Sequence, residues 1–387
     1  MGVRGRTKFL ALALFVSFSA VLAAQDTDTA KVLTCSGYLR ELPYLSLIRD
    51  GNASFENLAT FRFNVSARIS NTTQLRLELR NRVMAGQTRW GLLAGESSFR
   101  KGNNWLDLSV AEKFGNDHGL IHLMADRFYL EHSRDKWQFR AGRQRINWGI
   151  NMVSNPNDLF NTYSFFDFDY PERPGADAVR VQYFPSGMNR LEAAFAPAGR
   201  IAESIGALLY AFNLKGYDLQ FIAGYYRNRL ALGSGWAGHL GPAGFKGEIT
   251  CFSQAGSLST YHVVAAVSAD YITKNGLYLA VEGLYNGGYQ SPSEEGAALL
   301  QSLSADNIMI SGYAATASAS YAISPIISGS MAVMLLPDTH AWFVSPSLVW
   351  SVSSATDISL LSQLYASNSD NTSILAATIV ASLQWSF

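Results

Sequence analysis

The chain closes on Ser373-Ile374-Leu375-Ala376-Ala377-Thr378-Ile379-Val380-Ala381-Ser382-Leu383-Gln384-Trp385-Ser386-Phe387. Counting back from Phe387, every second residue from Trp385 is apolar or aromatic, and the residues between are mostly small and polar. This alternation predicts a β-strand with one apolar face. Its length suits a tilted strand that crosses a membrane in about 9–11 residues. Because β-strands span lipid only in closed barrels, this one strand predicts many neighbours.

The terminal residue adds a location. A free C-terminal Phe387 on such a strand resembles the signal that marks outer-membrane β-barrels of Gram-negative bacteria for assembly. The resemblance implies two partners, which are the outer-membrane lipid and a barrel-assembly machinery that recognises the Phe387 strand.

The opposite end of the chain agrees with export. Arg4, Arg6 and Lys8 precede an uncharged apolar stretch, and Ala23-Ala24 follows it. A basic start, an apolar core and small residues at the exit predict a signal peptide over residues 1–24 that is cleaved. An uncleaved anchor is the alternative, but the short core disfavours it. Residues 25–387 then form a single outer-membrane barrel.

Composition restricts the function classes. Aromatic residues make up 12% and charged residues 16% of the chain, against about 25% charged in soluble domains. The balanced net charge of zero gives no indication of nucleic-acid binding. No Lys or Arg follows Lys274. In a barrel this predicts one cationic wall and one wall lined by Ser, Thr, Ala and Gly.

Alternating segments and turns recur along the chain. Phe61–Ile69 and Leu75–Arg80 flank a turn at Asn71-Thr72, and Asn275-Gly276 is a strong hairpin signal. Counting such segments predicts an all-β, transmembrane, antiparallel up-and-down β-barrel of about 18 strands, with 16 as the alternative. The count takes Asn104–Phe114 and Lys136–Trp148 as full strands and places none between Tyr226 and Gly244.

Two further features leave alternatives open. Asn307–Pro337 carries no charge and is long enough for a membrane helix, although Ser324-Pro325 interrupts it. Cys35 and Cys251 could form a disulfide in an oxidising periplasm or stay unpaired. Their spacing has no metal-ligand pattern, and no cofactor is expected.

The densest segment runs from Arg140 to Val181. Its polarity changes phase at Ala141-Gly142, which predicts a β-bulge that turns the arginines on both sides inward. The following loop, residues 150–175, is acidic, contains three prolines and carries six aromatic residues, which are Phe160, Tyr163, Phe165, Phe166, Phe168 and Tyr170. So many aromatic residues predict a loop that folds into the lumen or packs on the rim.

The charged residues of these segments are candidates for a pore lining. Arginine rings in a lumen favour anions, whereas interleaved acids could reduce them to an internal ion-pair network. The residues expected to line or constrict the lumen are Arg62, Arg76, Arg80, Arg127, Arg140, Arg143, Arg145, Asn147, Asp158, Asp167, Asp169 and Arg180.

Several short runs resemble one family. These are Gly142-Arg143-Gln144 with Asn147-Trp148-Gly149, then Pro156-Asn157-Asp158, and Pro174-Gly175-Ala176-Asp177-Ala178 before a strand. They are similar to porin-like outer-membrane barrels of largely unassigned function, and distantly to alginate-export-type barrels. The resemblance implies an outer-membrane channel and no particular substrate.

The sequence therefore favours a porin-like channel for passive passage of small polar or anionic solutes. One alternative is a plugged structural or assembly-partner barrel. Another is a barrel that handles lipids or other hydrophobes on the aromatic loop. We do not expect an enzyme, because the chain contains no G-x-S-x-G, H-E-x-x-H or phosphate-loop motif.

Overall fold

The computed structural model describes residues 32–48, 53–87, 105–161, 171–290, 303–368 and 373–387, so the predicted signal peptide lies outside the described residues. The strands are β1 (Leu33–Ile48), β2 (Ala53–Ser70), β3 (Thr73–Gly86), β4 (Ser109–Phe114), β5 (Gly119–Arg134), β6 (Trp137–Gln144), β7 (Ala176–Ser186), β8 (Asn189–Ala196), β9 (Ile205–Leu214), β10 (Tyr217–Tyr226), β11 (Arg229–Leu240), β12 (Ala243–Gln254), β13 (Ser257–Ile272), β14 (Tyr278–Asn286), β15 (Tyr313–Ser324), β16 (Ile327–Leu336), β17 (Ala341–Ser353), β18 (Thr356–Asn368) and β19 (Ser373–Ser386). Two short 3-10 helices, Ile201–Glu203 and Pro337–Thr339, lie in connections.

The sheet closes on itself. Successive strands pair antiparallel, and β1 pairs with both β2 and β19. At the closure the backbones of Gly37 and Phe387 exchange two hydrogen bonds of 3.0 Å. The predicted all-β, antiparallel up-and-down barrel is confirmed.

The predicted strand number is also confirmed, although two segments share one position in the wall. One edge of β5 pairs with β3 along its length. Its other edge pairs with β6 over Phe128–Arg134 and with the short β4 over Gly119–Met124. The nineteen strand segments therefore occupy 18 positions around the barrel. The sequence count reached the same total because it missed β11 and took β4 as a full strand.

The junction of β6 and β4 is fastened by a buried ion pair. Arg143 Nε lies 2.8 Å from Asp177 Oδ1, and the two side chains are 2% and 7% exposed. The same guanidinium donates to the backbone oxygens of Leu106 and Ala125, and Leu106 N donates to Asp177 Oδ2 at 2.7 Å. The ion pair thus satisfies backbone groups where the ladder between β6 and β7 ends.

The β-bulge lies elsewhere than the sequence predicts. Through Ala141-Gly142 the register of β6 with β5 and β7 is continuous, so the prediction there is wrong. The phase change comes from Gly142, whose φ of 117° is open to glycine alone. The extra residue is Asp126 in β5, which the pairing with β3 skips. Asp126 and Arg127 are both buried as a result.

The structure decides two alternatives that the sequence leaves open. The uncharged stretch Asn307–Pro337 contains the hairpin of β15 and β16 and does not form a membrane helix. No helix among the described residues is long and apolar enough to cross a membrane. Cys35 on β1 and Cys251 on β12 are free thiols, and the disulfide does not form.

The two ends of the barrel differ. At one end the connections are short, as at Asp135-Lys136 and Lys215-Gly216, where left-handed backbone makes tight turns. The other end carries the longer connections, including residues 145–175. In outer-membrane barrels the short turns face the periplasm and the long loops face outward. The outward-pointing side chains between the ends include many exposed large hydrophobics, such as Leu208, Phe221 and Leu383.

The junction of β6 and β4 gives a test of the wall. Asp177→Asn should leave the Arg143 guanidinium buried and uncompensated, and lower the free energy of unfolding by about 3–5 kcal/mol. The temperature at which the folded barrel changes mobility on an SDS gel should fall accordingly. Arg200→Met removes the exposed pair Arg200–Glu203 and should change stability by less than about 1 kcal/mol. Equal effects of the two substitutions would contradict the role of the junction.

Candidate functional site

The first half of the connection between β6 and β7 folds into the barrel. We call residues 145–161 the inner loop. The chain leaves β6 at Gln144, earlier than the strand to Trp148 that the sequence predicts. Ile146, Trp148 and Leu159 are buried within the lumen. The described part of the loop that the sequence predicts to pack in the lumen or on the rim, residues 150–161, lies inside the barrel. Tyr163, Phe165, Phe166, Asp167, Phe168, Asp169 and Tyr170 lie outside the described residues.

Two carboxylates of the opposite wall hold the inner loop. Glu248 on β12 accepts the backbone N–H groups of Ile150, Asn151 and Asn157 at 2.5, 2.6 and 2.9 Å. Glu282 on β14 accepts those of residues 153 and 154, both at 2.8 Å. Buried backbone donors need acceptors, and a charged acceptor makes the stronger hydrogen bond. These two acids therefore fix the path of the loop.

The start of the loop is anchored by Trp148. Its indole Nε1 donates to Glu192 on β8 at 2.8 Å, and its backbone oxygen accepts from Gln220 on β10 at 2.7 Å. Phe160 packs edge-on against the indole, with ring centroids 5.1 Å apart. The loop thus contacts the wall from β8 to β14 and closes back on itself.

Glycines in β11 allow the loop to lie directly on the wall. Asn157 Nδ2 donates to the backbone oxygen of Ser234 at 3.0 Å, and its Oδ1 accepts from Thr250 at 2.7 Å. A Cβ on Gly233 would lie 2.6 Å from Asn157 Oδ1, and one on Gly235 would lie 3.0 Å from Asn157 Nδ2. Only a strand without side chains at these inward positions accommodates the loop.

A second segment joins the inner loop. We call residues 303–312, which precede β15, the upper segment. Ala305 N donates to the Tyr226 hydroxyl at 3.0 Å, and Asp306 forms a 3.1 Å ion pair with Arg229. Asn286 Nδ2 donates to the backbone oxygens of residues 309 and 311. Apolar residues of the inner loop, the upper segment and β8–β17 form one buried cluster, which fills part of the outer half of the lumen.

The end of the connection is anchored on the other side of the barrel. Glu172 accepts the Tyr38 hydroxyl of β1 at 2.8 Å. Arg62 of β2 lies 3.7 Å from the Glu172 carboxylate, and Arg127 of β5 donates to the backbone oxygens of Glu172 and Arg173 at 3.0 and 2.6 Å. The connection between β6 and β7 is therefore held on two walls, at β8–β14 and at β1–β5.

Arginines dominate the inward positions of β1–β8, which we call the arginine wall. The alternation of buried and exposed residues places ten arginines there and five acids, before Glu172 is counted. The arginines are Arg40, Arg62, Arg68, Arg76, Arg80, Arg82, Arg127, Arg140, Arg180 and Arg190, and the acids are Glu56, Glu78, Asp126, Glu131 and Glu192. This wall carries net positive charge.

The buried centre of the arginine wall is an ion-pair network. Arg62 is 2% exposed and contacts Glu78 and Asp126, the latter at 2.8 Å. Arg127 pairs with Asp126 at 2.8 Å, and Arg76 pairs with Glu78. The acids thus compensate the most buried cations, while the Arg76 side chain remains 42% exposed.

A second group lies toward the short-turn end. Arg140 on β6 and Arg180 on β7 are directly paired residues and face the same side. Arg140 Nε donates to Glu131 at 2.8 Å, and Arg180 lies 3.8 Å from Glu192. Arg190, 33% exposed, lies 3.5 Å from the same Glu192. Three arginines thus share two acids.

The wall opposite the arginines is uncharged over most of its length. Inward positions of β15–β19 carry mainly hydroxyls and amides, such as Ser330, Ser347 and Gln363, and hold no Lys or Arg among the described residues. Ser330 and Ser347 hydrogen-bond to each other at 2.7 Å. The lumen therefore has one cationic wall and one hydroxyl wall, as the distribution of cations along the sequence predicts.

The predicted site residues fall into three sets. Arg62, Arg76, Arg80, Arg127, Arg140 and Arg180 belong to the arginine wall. Arg145 and Asn147 lie at the start of the inner loop and bond to each other at 3.0 Å. Arg143 lies in the wall junction and Asp158 is buried within the inner loop, so the geometry gives neither a lumen-lining surface.

The sequence did not show that Glu248 and Glu282 hold the loop, and it indicated Glu192 only as an acid among the inward arginines and not as the partner of Trp148. One signal could have found them. Glu282 is the single charged residue of β14, and Glu248 has only Lys246 as a charged neighbour on β12, both at inward positions. A buried charge needs compensation, and such an acid predicts a partner inside the lumen. Among the described residues no group of His, Cys, Asp and Glu is arranged to hold a metal ion.

Asp158 has a shifted pKa. Burial raises the pKa of its carboxyl to about 7, Arg145 opposes this shift, and Glu248 adds to it. Near neutral pH the inner loop therefore contains a carboxyl that is partly protonated.

Comparisons with known proteins identify the fold. No protein-family model matches the chain, and no curated protein matches it. The structure of Pseudomonas aeruginosa OpdQ matches with a TM-score of 0.58 at 9% identity, over 92% of this chain and 99% of that one. P. aeruginosa OccK8 (OprE) matches with 0.56 at 11% identity, over 92% and 98%. The outer membrane protein opdK of P. aeruginosa matches with 0.54 at 10% identity, over 92% and 99%. The chain shares the barrel fold of these proteins.

The loop-holding acids can be tested by hydrogen exchange. Glu248→Gln places an amide donor against the backbone donors of residues 150, 151 and 157, and Glu282→Gln does the same at residues 153 and 154. Backbone amides of residues 150–157 should then exchange about tenfold faster or more, as measured by mass spectrometry of the folded barrel. Glu203→Gln, on an exposed 3-10 helix, should leave these amides unchanged. Unchanged exchange in both Glu248→Gln and Glu282→Gln would contradict the anchoring.

Asp158 predicts a pH-dependent stability. Its pKa in the folded protein lies above the ordinary aspartate value of 3.8, so the native state binds this proton more tightly than the unfolded state. The stability that the protonated Asp158 carboxyl contributes is therefore lost as pH rises from about 4 to about 7. Asp158→Asn should raise the free energy of unfolding in urea by roughly 1–3 kcal/mol at about pH 8 and by much less at about pH 4. Asp117→Asn, in an exposed turn, is the control, and an Asp158→Asn effect independent of pH would refute the assignment.

Proposed function

We propose that the chain is an outer-membrane channel for passive passage of small polar or anionic solutes. The observation that carries the proposal is the unequal lumen, in which ten inward arginines face a hydroxyl wall that lacks cations among its described residues. Lumen arginines favour anions over cations, and hydroxyls can replace water around a polar solute.

The surroundings support an outer-membrane location. The outward face carries exposed large hydrophobics around the barrel, as a lipid-facing wall requires. One structure of the same fold is described as an outer membrane protein. In this proposal residues 1–24 are a cleaved signal peptide and residues 25–387 form the barrel.

The terminal strand supports an assembly partner. Phe387 packs near Phe61 and Trp385, with ring centroids 6.3 and 5.4 Å away, at the short-turn end. We infer that a barrel-assembly machinery recognises this strand before β19 pairs with β1.

The selectivity is expected to be mild. Arg62 and Arg127 are compensated by buried acids, and their charge reaches the lumen weakly. Arg68, Arg76 and Arg190 are the more exposed members of the wall. Arg140 and Arg180 lie side by side with incomplete compensation, so they should contribute most of the field within the barrel.

A plugged barrel is the second candidate. The buried cluster that joins Trp148, Phe160 and Ile310 favours it, because these residues fill lumen that a wide pore would leave open. Planar-bilayer recording separates the two functions. Pure, folded protein that carries no current would refute the channel and favour the plugged barrel. The hydrophobe-handling alternative gains no support from Phe160, which is buried against Trp148 and is the one loop aromatic within the described residues.

The arginine pair gives a test of selectivity. Replacing Arg140 and Arg180 together with Ala should lower the anion-to-cation permeability ratio by about twofold or more, because the lumen loses two positive charges. Reversal potentials in a salt gradient measure the ratio. Arg134→Ala removes an exposed cation near the turn between β5 and β6 and should leave it unchanged. An unchanged ratio in the double variant would remove these residues from the proposed filter.

A further inference from the structure

Among the described residues, the outward face of the barrel contains a polar patch away from the strand ends. It consists of Glu41 on β1, Asn57 on β2 and Asn81 on β3, and we call it the outward patch. The inward neighbours Arg40, Leu42 and Leu58 are buried in the lumen, so the alternation of strands turns Glu41 and Asn57 outward. Glu112 on β4 also faces outward, close to the outer turn that follows this short strand. The other described outward positions away from the strand ends are apolar, aromatic or small.

The outward patch lies within the apolar band and not at a rim. On β1 the exposed Leu39 lies on one side of Glu41, and the exposed Leu45 and Leu47 lie on the other. On the neighbouring strands Phe55 lies toward the outer end and Trp385 toward the short-turn end. A carboxylate at this depth is costly in hydrocarbon, and such a residue generally has a functional partner.

Small residues adjoin Glu41 and Asn57. Ala59 pairs with Glu41, Ala85 pairs with Asn57, and Pro43 separates Glu41 from Leu45 along β1. Larger side chains stand at the edges of the patch, where Leu383 pairs with Glu41 and Phe61 pairs with Asn81. Small residues allow two backbones to approach closely in a membrane, where interhelical or inter-barrel contacts depend on packing and hydrogen bonds.

The hydrogen bonds of the patch are incomplete. Asn57 Nδ2 donates to Glu41 Oε1, and Asn81 Nδ2 donates to the backbone oxygen of Phe61 at 3.3 Å. The hydrogen bond of Glu41 within the described residues is the one that its Oε1 accepts from Asn57, and Asn57 Oδ1 is buried without a partner. Each amide nitrogen has a second hydrogen to donate. Lipid tails supply neither donors nor acceptors, so this wall is left with polar groups that hydrocarbon cannot satisfy.

We propose that the outward patch is the contact surface for a second copy of this chain, with the barrels side by side about a two-fold axis. In a two-fold interface each copy presents the same surface to the other. The amides of Asn57 and Asn81 on one copy then donate to Glu41 on the other, and no cation is needed. The patch holds both the acceptor and the donors, which makes it complementary to itself.

The test uses purified protein in phospholipid vesicles, in a background where Cys35 and Cys251 are replaced with Ser. Ala59→Cys places a thiol in the patch, and Leu208→Cys places one on β9, where the side chain is 62% exposed to the outside. Oxidation with copper phenanthroline should link Ala59→Cys into a covalent dimer and leave Leu208→Cys monomeric. Equal linkage of the two variants would overturn the proposal.

Substitution of the acid then tests the chemistry. Glu41→Leu should lower the association constant about tenfold or more, measured by energy transfer between labelled copies across protein-to-lipid ratios. Glu41→Gln keeps an acceptor and should retain most of the association. Both variants should fold, because Leu suits a lipid-facing position, and the mobility shift on an SDS gel verifies this. Association unaffected by Glu41→Leu would overturn the proposal, and neither outcome depends on whether the barrel conducts.

Discussion

The interior of this barrel depends on the hydrogen bonds that two wall carboxylates accept from the inner loop. A chain segment inside a barrel brings backbone N–H groups away from water, and each needs an acceptor. Glu248 and Glu282 accept five such groups between them. The same bonds stabilise the acids, which would otherwise be buried charges without compensation. The loop and the acids therefore depend on each other, and removing either leaves the other unsatisfied. The oxygens of these two acids accept hydrogen bonds from the loop. In the proposed channel their charge is therefore shielded from the solute, and the arginines determine the sign of the electrostatic potential in the lumen.

The inner loop also makes the lumen asymmetric. It lies on β8–β14, where Gly233 and Gly235 leave room for it, and the upper segment packs beside it. Both leave the rest of the circumference to the arginine wall and the hydroxyl wall. In the proposed channel a solute at this level would lie close to side chains of both walls. Narrowing thus strengthens the electrostatic effect of the arginines, because charges act more strongly at short range and with less water between them.

The sequence predicts the outside of the barrel better than the inside, for a physical reason. Contact with lipid imposes a strict alternation of apolar and polar residues on every strand. In the terminal strand this alternation can be read from its own sequence, without knowledge of its neighbours. The missed strand β11 has glycine at the inward positions 233 and 235, so its pattern reflects a loop packed on it and not the pleat alone. The arginine wall was predictable because its residues alternate locally. The hydrogen bond between Glu248 and residue 150 was not predictable, since the two residues lie 98 positions apart and nothing in the spacing relates them. Arg143 shows the converse, because its arginine-rich surroundings predict a lumen position, whereas the interruption of β6 places it in the wall.

The second anchor of the connection links loop position to lumen charge. Glu172 receives the Tyr38 hydroxyl and lies beside Arg62, which also contacts Asp126 and Glu78. The guanidinium is buried, so it cannot exchange one of these acids for water without a large cost. Any shift of residues 171–175 would alter the compensation of Arg62 and so the field of the arginine wall. Conversely, a change of charge on that wall would alter the contacts that fix residues 171–175. The position of residues 171–175 and the charge of the arginine wall are therefore coupled, because Glu172 and Arg62 belong to one ion-pair network.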